Sequence, residues 1–531
     1  MVWLVFTLAV TLAFGRLAAH NLANYRPLSN DEGELMAVGY KLSTQGVLGS
    51  DMYAGFFGGD QHHFETLPLQ HFLEATSFRV LGPGVEQARL VSLLAAVTLI
   101  WVVGWLAFRW YGLGTAVVGE LLLVAWRSNL TAASDGLPLL GVARTARYDV
   151  LGVAMAWLAI AALDLTLRRP TPWRGALTGV FAGLAALSQF FGAFTLPVVI
   201  VMWVGSRRHT WRGATLVGIG AGFAVVVVPF VLYALTNASD LVGQLAVYGD
   251  RGAFLRPGFL LENITTEPAR YTQFLTQWPP VLDISGSDLS VAPLSPWVLV
   301  IGIWPALVSI IWRRRSRGDR LLLASLVCFG GLLLLLDQTK TPLYAILLLP
   351  TVCLCLAAAA VRVVTWSLDG FRRAGLRLAV CGLAGVVGVC LALESVHAFQ
   401  VDWMQASSVT PYLPLGEVID SAITPGSPVL GPERWWWALH QHPYVSLRSI
   451  WFQWAALAAR GQAPQFRDWV SRTHPDSVVV NINVRDDVRA FPAALQEQFW
   501  GFLDRCTTLT ADIANPNYFE TEVYAVNDDC R

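Results

Sequence analysis

Asp31 and Glu32 follow the first apolar run by about ten residues, where the chain would leave a membrane. Carboxylates at a bilayer surface are poor anchors, because they resist entering hydrocarbon. They are good material for a base that takes a proton from a nucleophile attacking a lipid-borne substrate. The competing reading is structural. Asn30-Asp31-Glu32-Gly33-Glu34 opens a helix-like stretch, where Asn30 can cap and acids of the first turn favour the helix dipole. The loop raises Asp31 above that reading. It also carries Asp51, Asp60, His62, His63, Glu65 and His71 among glycines and aromatic residues. A loop of this length between apolar runs is usually functional.

Other stretches hold residues of suitable types. Ala143-Arg-Thr-Ala-Arg147-Tyr-Asp149 runs into an apolar segment, which puts Asp149 at the mouth of a helix beside Arg147. Asp149 is either half of an interfacial ion pair or a second acid facing Asp31 across a cavity. Asp337-Gln-Thr-Lys340-Thr-Pro-Leu-Tyr344 reads as a hairpin between two apolar runs. Lys340 can snorkel to the interface, or it can hold a phosphate with the Tyr344 hydroxyl as a second donor. Arg251, Arg256 and Arg270 in the preceding loop are further anion-binding candidates. Glu120 lies inside an apolar run, and intramembrane acids are functional candidates because they are costly. His62, His63, Glu65 and His71 are compatible with a divalent ion, but their spacing assigns no metal ligands. Asn129-Leu-Thr, Asn237-Ala-Ser and Asn263-Ile-Thr are formal glycosylation sequons.

The elements that must position these residues are mostly membrane helices. Of 531 residues, 55% are hydrophobic and 14% charged, against about 25% charged in soluble domains. Mean hydropathy is +0.50. A span needs about 20 apolar residues. Eleven stretches are candidates: 2–20, 88–108, 113–127, 149–167, 175–190, 192–206, 213–235, 296–312, 321–337, 342–361 and 377–395. The first lacks a clear cleavage site and reads as a retained span. Arginine clusters lie at Arg168–Arg174, Arg207–Arg212, Arg313–Arg320 and Arg362–Arg377. With eleven spans and a cytoplasmic N-terminus, all of them fall inside.

The outer face then holds 21–87, 128–148, 236–295, the Asp337–Thr341 turn and the tail from 396. This divides the chain into a membrane domain, 1–395, and an extracytoplasmic domain, 396–531. In the tail, Ser477–Val484 and Val523–Val526 read as strands and Arg485–Asp504 as helix, a small α/β domain. Cys506 and Cys530 can pair there if the tail is outside, whereas Cys328, Cys353, Cys355, Cys381 and Cys390 read as small core residues. Trp435-Trp436-Trp437 either contacts an acceptor or headgroups, or packs onto the membrane domain, which is the expectation. No repeat, low-complexity segment or GxxxxGK[ST] loop is present, which disfavours ATP-driven transport.

In these features the chain resembles the GT-C glycosyltransferases of the protein O-mannosyltransferase and lipid A aminoarabinose transferase type. The resemblance covers roughly residues 1–360, in the family's order. It rests on Asp31-Glu32; on Glu65-Thr-Leu-Pro68, Phe78-Arg-Val-Leu-Gly-Pro and Ala88-Arg89-Leu; on Arg147-Tyr-Asp149, Gly179-Val-Phe-Ala-Gly183, Gln189 and Pro197; and on Lys340-Thr-Pro-Leu-Tyr344 with Pro350. It implies a mainly α, polytopic enzyme that moves a sugar from a polyprenyl-phosphate carrier to a glycan, lipid or protein acceptor on the outer face. By resemblance Asp31 is the base, Asp149 the second acid, and Lys340 with Tyr344 the donor-phosphate contacts. Glu32, Glu65, Arg147 and Arg256 are the further substrate-binding candidates. Relatives often carry Lys where this chain has Thr66-Leu67 and Gln189. The donor's leaving group is already a phosphate, so the reaction needs cations and a base rather than a strong acid. A single displacement inverts the anomeric centre. No certain cofactor and no nucleic-acid partner is expected, and the expected location is a plasma membrane. The alternatives are a transporter or flippase of a lipid-linked sugar, which predicts repeat halves and broken midplane helices, and a non-catalytic envelope assembly protein.

Overall fold

The computed structural model describes residues 1–127, 136–205, 213–246, 256, 258–276, 294–312, 316–370, 374–458, 465–489 and 491–530. Arg251, the Asn129 sequon and the arginines at 207, 208, 212, 313–315, 372 and 373 lie outside them.

Each of the eleven expected spans falls on helical structure. Seven helices among the described residues are long and apolar enough to cross a membrane: Val2–Ala19, Val85–Tyr111, Tyr148–Arg168, Gly213–Thr236, Arg317–Leu336, Leu349–Trp366 and the helix Ala374–Ser408. The other four are shorter or less apolar. Leu113–Ala125, of 13 residues, rises only about 20 Å, less than the roughly 30 Å of hydrocarbon. It is held inside the bundle instead. Glu120 does that work: it accepts from Trp3 Nε1 at 2.9 Å and Thr7 Oγ1 at 2.7 Å, tying the first helix to this one.

Pro172–Ser188 is braced differently. It lies against Gly213–Thr236 so closely that a Cβ at Gly179 would overlap the Ile219 carbonyl, and one at Gly222 the Ala176 carbonyl. Small residues four apart give this backbone-to-backbone approach.

The helix ends fall into two sets. At one end, Asp164 faces Arg109, Arg168 and Arg317, and Asp319 faces Arg362. At the other end lie the C-terminus of the first helix and the N-terminus of Tyr148–Arg168. There Arg144 donates to the Leu17 and Ala18 carbonyls and to both oxygens of Asp402.

Beyond Ser408 the tail builds a five-stranded sheet, ordered β2-β1-β3-β5-β4. Its strands are β1 Val429–Gly431, β2 Tyr444–Ser446, β3 Ser477–Asn481, β4 Thr507–Ile513 and β5 Thr521–Val526. β1 runs parallel to β2 and β3, and β5 antiparallel to β3 and β4. The sequence-predicted strand Ser477–Val484 stops at Asn481, whose side chain accepts from Val484 N at 3.1 Å and starts a helix. The predicted helix Arg485–Asp504 is two helices, Ile482–Arg489 and Ala493–Cys506, because Pro492 interrupts it. Cys506 and Cys530 are joined as a disulfide. Helix Ala374–Ser408 runs through residue 395 without a break.

One face of the tail shares a core with the first loop. Tyr412, Trp435, Val479 and Val523 pack with Leu28, Met36, Tyr53 and Phe78. The three tryptophans are 0%, 6% and 6% exposed, so they pack inward as expected.

Candidate active site

The helix Asn30–Gln45 starts at a capping box. Ser29 Oγ accepts from Glu32 N at 3.3 Å, and Glu32 Oε2 accepts from Ser29 N at 3.1 Å. The cap is therefore Ser29, not Asn30; the Ser-x-x-Glu spacing decides it. Glu32 is fully buried, and its carboxylate takes Arg89 Nε at 2.8 Å, Arg89 Nη2 at 3.1 Å and Ala146 N at 2.8 Å. Its capacity is used by the protein, so it braces the site from behind and does not line the cavity, contrary to its expected substrate-binding place.

Asp31 and Glu34, three residues apart, share a helix face. That face borders a cavity of about 510 Å³ beside the N-terminus of helix Tyr148–Arg168, lined also by Glu65, Arg147, Tyr148 and Arg448. Phe190, Phe191, Leu245 and Leu336 form its apolar wall, and Thr339 and Tyr344 reach it from the hairpin. Tyr344 packs on Phe191 with ring centroids 4.6 Å apart.

Asp31 is the exposed acid, with 49% of its side chain accessible, and Arg147 Nη1 donates to its Oδ2. Arg147 stands just before helix Tyr148–Arg168 with extended backbone, which aims its side chain across the helix mouth. Its Nε donates to Asp149 Oδ2 at 2.8 Å, and Gln189 Nε2 donates to Asp149 Oδ1 at 3.0 Å. Asp149 is 0% exposed and does not line the cavity. It faces Arg147 and Gln189, the ion-pair alternative, rather than Asp31 across open space.

Glu34 and Glu65 are buried beside Asp31, within hydrogen-bonding reach of each other. Their contact lowers Glu34's affinity for a proton and raises that of Glu65. Burial pushes Glu34 up to about 7; Arg448 opposes this, while Asp31 and Glu433 add to it. Burial, then Glu34, holds Glu65 well above the carboxylate range. His63, Thr66 and His71 form a chain with links of 2.9 and 2.7 Å, and His71 Nδ1 donates to the Leu35 carbonyl at 3.3 Å. Burial lowers both imidazoles, His71 to about 4. His62 instead pairs with Asp240 at 2.8 Å. Among the described residues, no three His, Cys, Asp or Glu side chains converge to hold a metal ion.

The expected phosphate contacts divide. Lys340 is 8% exposed, and its Nζ lies 2.8 Å from Glu267 Oε2. Arg270 pairs with Glu267 at 2.9 Å and Asp337 at 2.8 Å. This network fixes the hairpin whose Thr339 and Tyr344 meet the cavity; Lys340 itself does not line it. Arg256 lies elsewhere on the surface, paired with Glu262 at 2.5 Å. Asn263 is 1% exposed and bonded to the Leu335 carbonyl, so that sequon is sealed.

The whole chain matches solved structures. It superposes on the crystal structure of ArnT from Cupriavidus metallidurans bound to undecaprenyl phosphate, with a TM-score of 0.62 and 15% identity, over 99% of this chain and 98% of that one. The fold is that of the GT-C glycosyltransferases. The Archaeoglobus fulgidus oligosaccharyltransferase is similar at a TM-score of 0.53 and 13% identity, over 98% of this chain and 74% of that one. No protein-family model and no curated sequence matches the chain. Sequence reasoning missed Glu34 as a lining acid, although its spacing from Asp31 was a signal. It also missed Arg448, which has no local signal because tail docking alone brings it to the cavity.

Proposed function

We propose that this GT-C chain is a membrane glycosyltransferase that takes its sugar from a polyprenyl-phosphate donor. The observation that carries the reading is Asp31: an accessible acid, held by Arg147, in a cavity with an apolar wall. The full-length likeness to ArnT, itself bound to undecaprenyl phosphate, supports a carrier of that kind. The acceptor oxygen bonds to the anomeric carbon while the carbon–phosphate oxygen bond breaks. Asp31 takes the acceptor proton, and the polyprenyl phosphate leaves with the electron pair, inverting the centre. Arg147 fixes the Asp31 carboxyl in place, and Asp149 with Gln189 fixes Arg147. Glu65 borders the sugar space, and Thr339 and Tyr344 supply hydroxyls toward the phosphate from the hairpin that Lys340 secures.

The arginine-rich helix ends lie opposite the cavity, which by the positive-inside rule supports a cavity and tail on the extracytoplasmic side of a plasma membrane. On this reading residues 1–395 form the membrane domain and 396–531 a domain docked on its outer face.

The test offers membranes a panel of labelled undecaprenyl-phosphate sugars with wild type or Asp31→Asn. Wild type should consume one donor and leave inverted product, and Asp31→Asn should lose about 10²–10⁴-fold in rate. Equal consumption by both proteins would move the base elsewhere.

A further inference from the structure

Arg448 is remote in sequence from every other group at the cavity. It begins the tail helix Leu447–Ala458, directly after β2. Its backbone N–H donates to Ser446 Oγ at 3.0 Å, and the Ser446 hydroxyl in turn donates to buried Glu433. The guanidinium then reaches the cavity. Nη1 lies 3.7 Å from Asp31 Oδ1 and 3.6 Å from Glu34 Oε2. Asp31 is thus met on its two oxygens by two cations from opposite parts of the chain, Arg147 on Oδ2 and Arg448 on Oδ1.

The charges around Asp31 make the second cation matter. Arg147 and Tyr148 face it from the membrane helix, Glu34 from its own helix, and Arg448 and Asp487 from the tail. Glu34 is faced in turn by Glu65, His63 and Tyr53 from the first loop and by Glu433 and Arg448 from the tail. Arg147 already shares its charge with Asp149. Without Arg448, Asp31 would stand beside Glu34 and Asp487, next to an Arg147 whose charge Asp149 already shares. Like charges raise a carboxyl's affinity for its proton, and a protonated acid is no base.

The tail's seat is fixed well enough to deliver this contact. Gly33, between the site acids, lies under the Glu433 carbonyl so closely that a Cβ would overlap it. Leu28 N donates to the Tyr518 hydroxyl at 3.3 Å, and Tyr412 N to Asn24 Oδ1 at 3.0 Å.

We propose that Arg448 is a positioning residue supplied by the tail: it fixes the Oδ1 side of Asp31 and keeps that carboxyl ionised, so the base is complete only with the tail docked. This rests on the glycosyltransferase reading for its consequence, but its physical core is testable without a substrate.

The closing experiment uses the full-length protein reconstituted in nanodiscs. A hydrophobic carbodiimide modifies protonated carboxyls, and peptide mass spectrometry reads the labelled fraction of Asp31 across pH. In Arg448→Gln the labelling midpoint should move up by about one pH unit, and in Arg448→Lys by less. With an undecaprenyl-phosphate sugar that wild type consumes, Arg448→Gln should lower kcat by about tenfold or more, leave donor KM within a few fold, and recover partly at higher pH. Thermal melts check that the variants fold, and Arg448→Lys keeps the test open if Arg448→Gln does not. An unchanged midpoint in a folded variant overturns the proposal, whatever the turnover. A shifted midpoint in a protein that consumes no donor supports the role of Arg448 and instead overturns the transferase reading. A kcat loss with no change in the shape of the pH profile also counts against it.

Discussion

Glu34 carries a proton that the unfolded chain would release. Its ordinary value is 4.5, and burial lifts it to about 7 in the folded protein. Between those values the folded state binds the proton and the unfolded state does not, so this group's contribution makes stability fall as pH rises. Glu74, lifted by burial to about 8, acts in the same direction. His71, lowered by burial from 6.5 to about 4, acts oppositely, and stability gained from it rises with pH across that window. Glu34→Gln removes one falling contribution. Its melting temperature should gain on wild type near pH 7.5 and change little near pH 5; the same shift at both values would mean that Glu34 does not titrate in this window. The residue scale is also where the sequence was least legible. Asp31 and Glu32 are adjacent acids with opposite fates, one accessible in the cavity and one sealed on Arg89. A helix turns by about 100° per residue, so neighbours face different surroundings. Knowing which side is packed requires the partner elements, and Asp149 was ambiguous for the same reason.

Helices were the legible element. Long apolar runs bury or face lipid whatever their neighbours, so composition alone located them. Their lengths misled only where a short helix is braced by others, as Leu113–Ala125 is through Glu120. Glu120→Ala should leave Trp3 and Thr7 without their acceptor and cost about 2 kcal/mol, read as a lower melting temperature in detergent. A variant melting like wild type would show that the first helix is held by packing alone. The tail's short strands β1 and β2 have three residues each, too few for an alternation signal, and went unseen. Docking between elements makes a further prediction at Gly33. Alanine favours a helix over glycine by about 1 kcal/mol, yet its Cβ would overlap the Glu433 backbone, which no rotamer change relieves. Gly33→Ala should therefore loosen the tail, seen as faster proteolysis between the last membrane helix and β1. Unchanged proteolysis would mean that the two backbones separate at no cost.

The molecule as a whole is held together between its distant ends. Cys506–Cys530 closes a loop with a separation of 24 residues, and such a crosslink stabilises by about 3 kcal/mol. Cys506→Ser, or reduction of the wild type, should lower the melting of the tail while leaving the membrane bundle folded; a tail that melts unchanged would show the sheet to be self-sufficient. The tail has a core of its own around Val478, Trp469 and Phe499. Its other face, with Tyr412, Trp435 and Val523, is covered by the first loop. Residues 396–531 produced alone should expose that face and self-associate, which light scattering would detect; a monodisperse product would count against the shared core. This arrangement has a consequence in time. The loop bearing Asp31 is made long before the strand that completes its packing. The apolar face that Leu28, Met36 and Tyr53 present is therefore covered only once Val479 and Val523 have been made, so the first loop closes late in the protein's own manufacture.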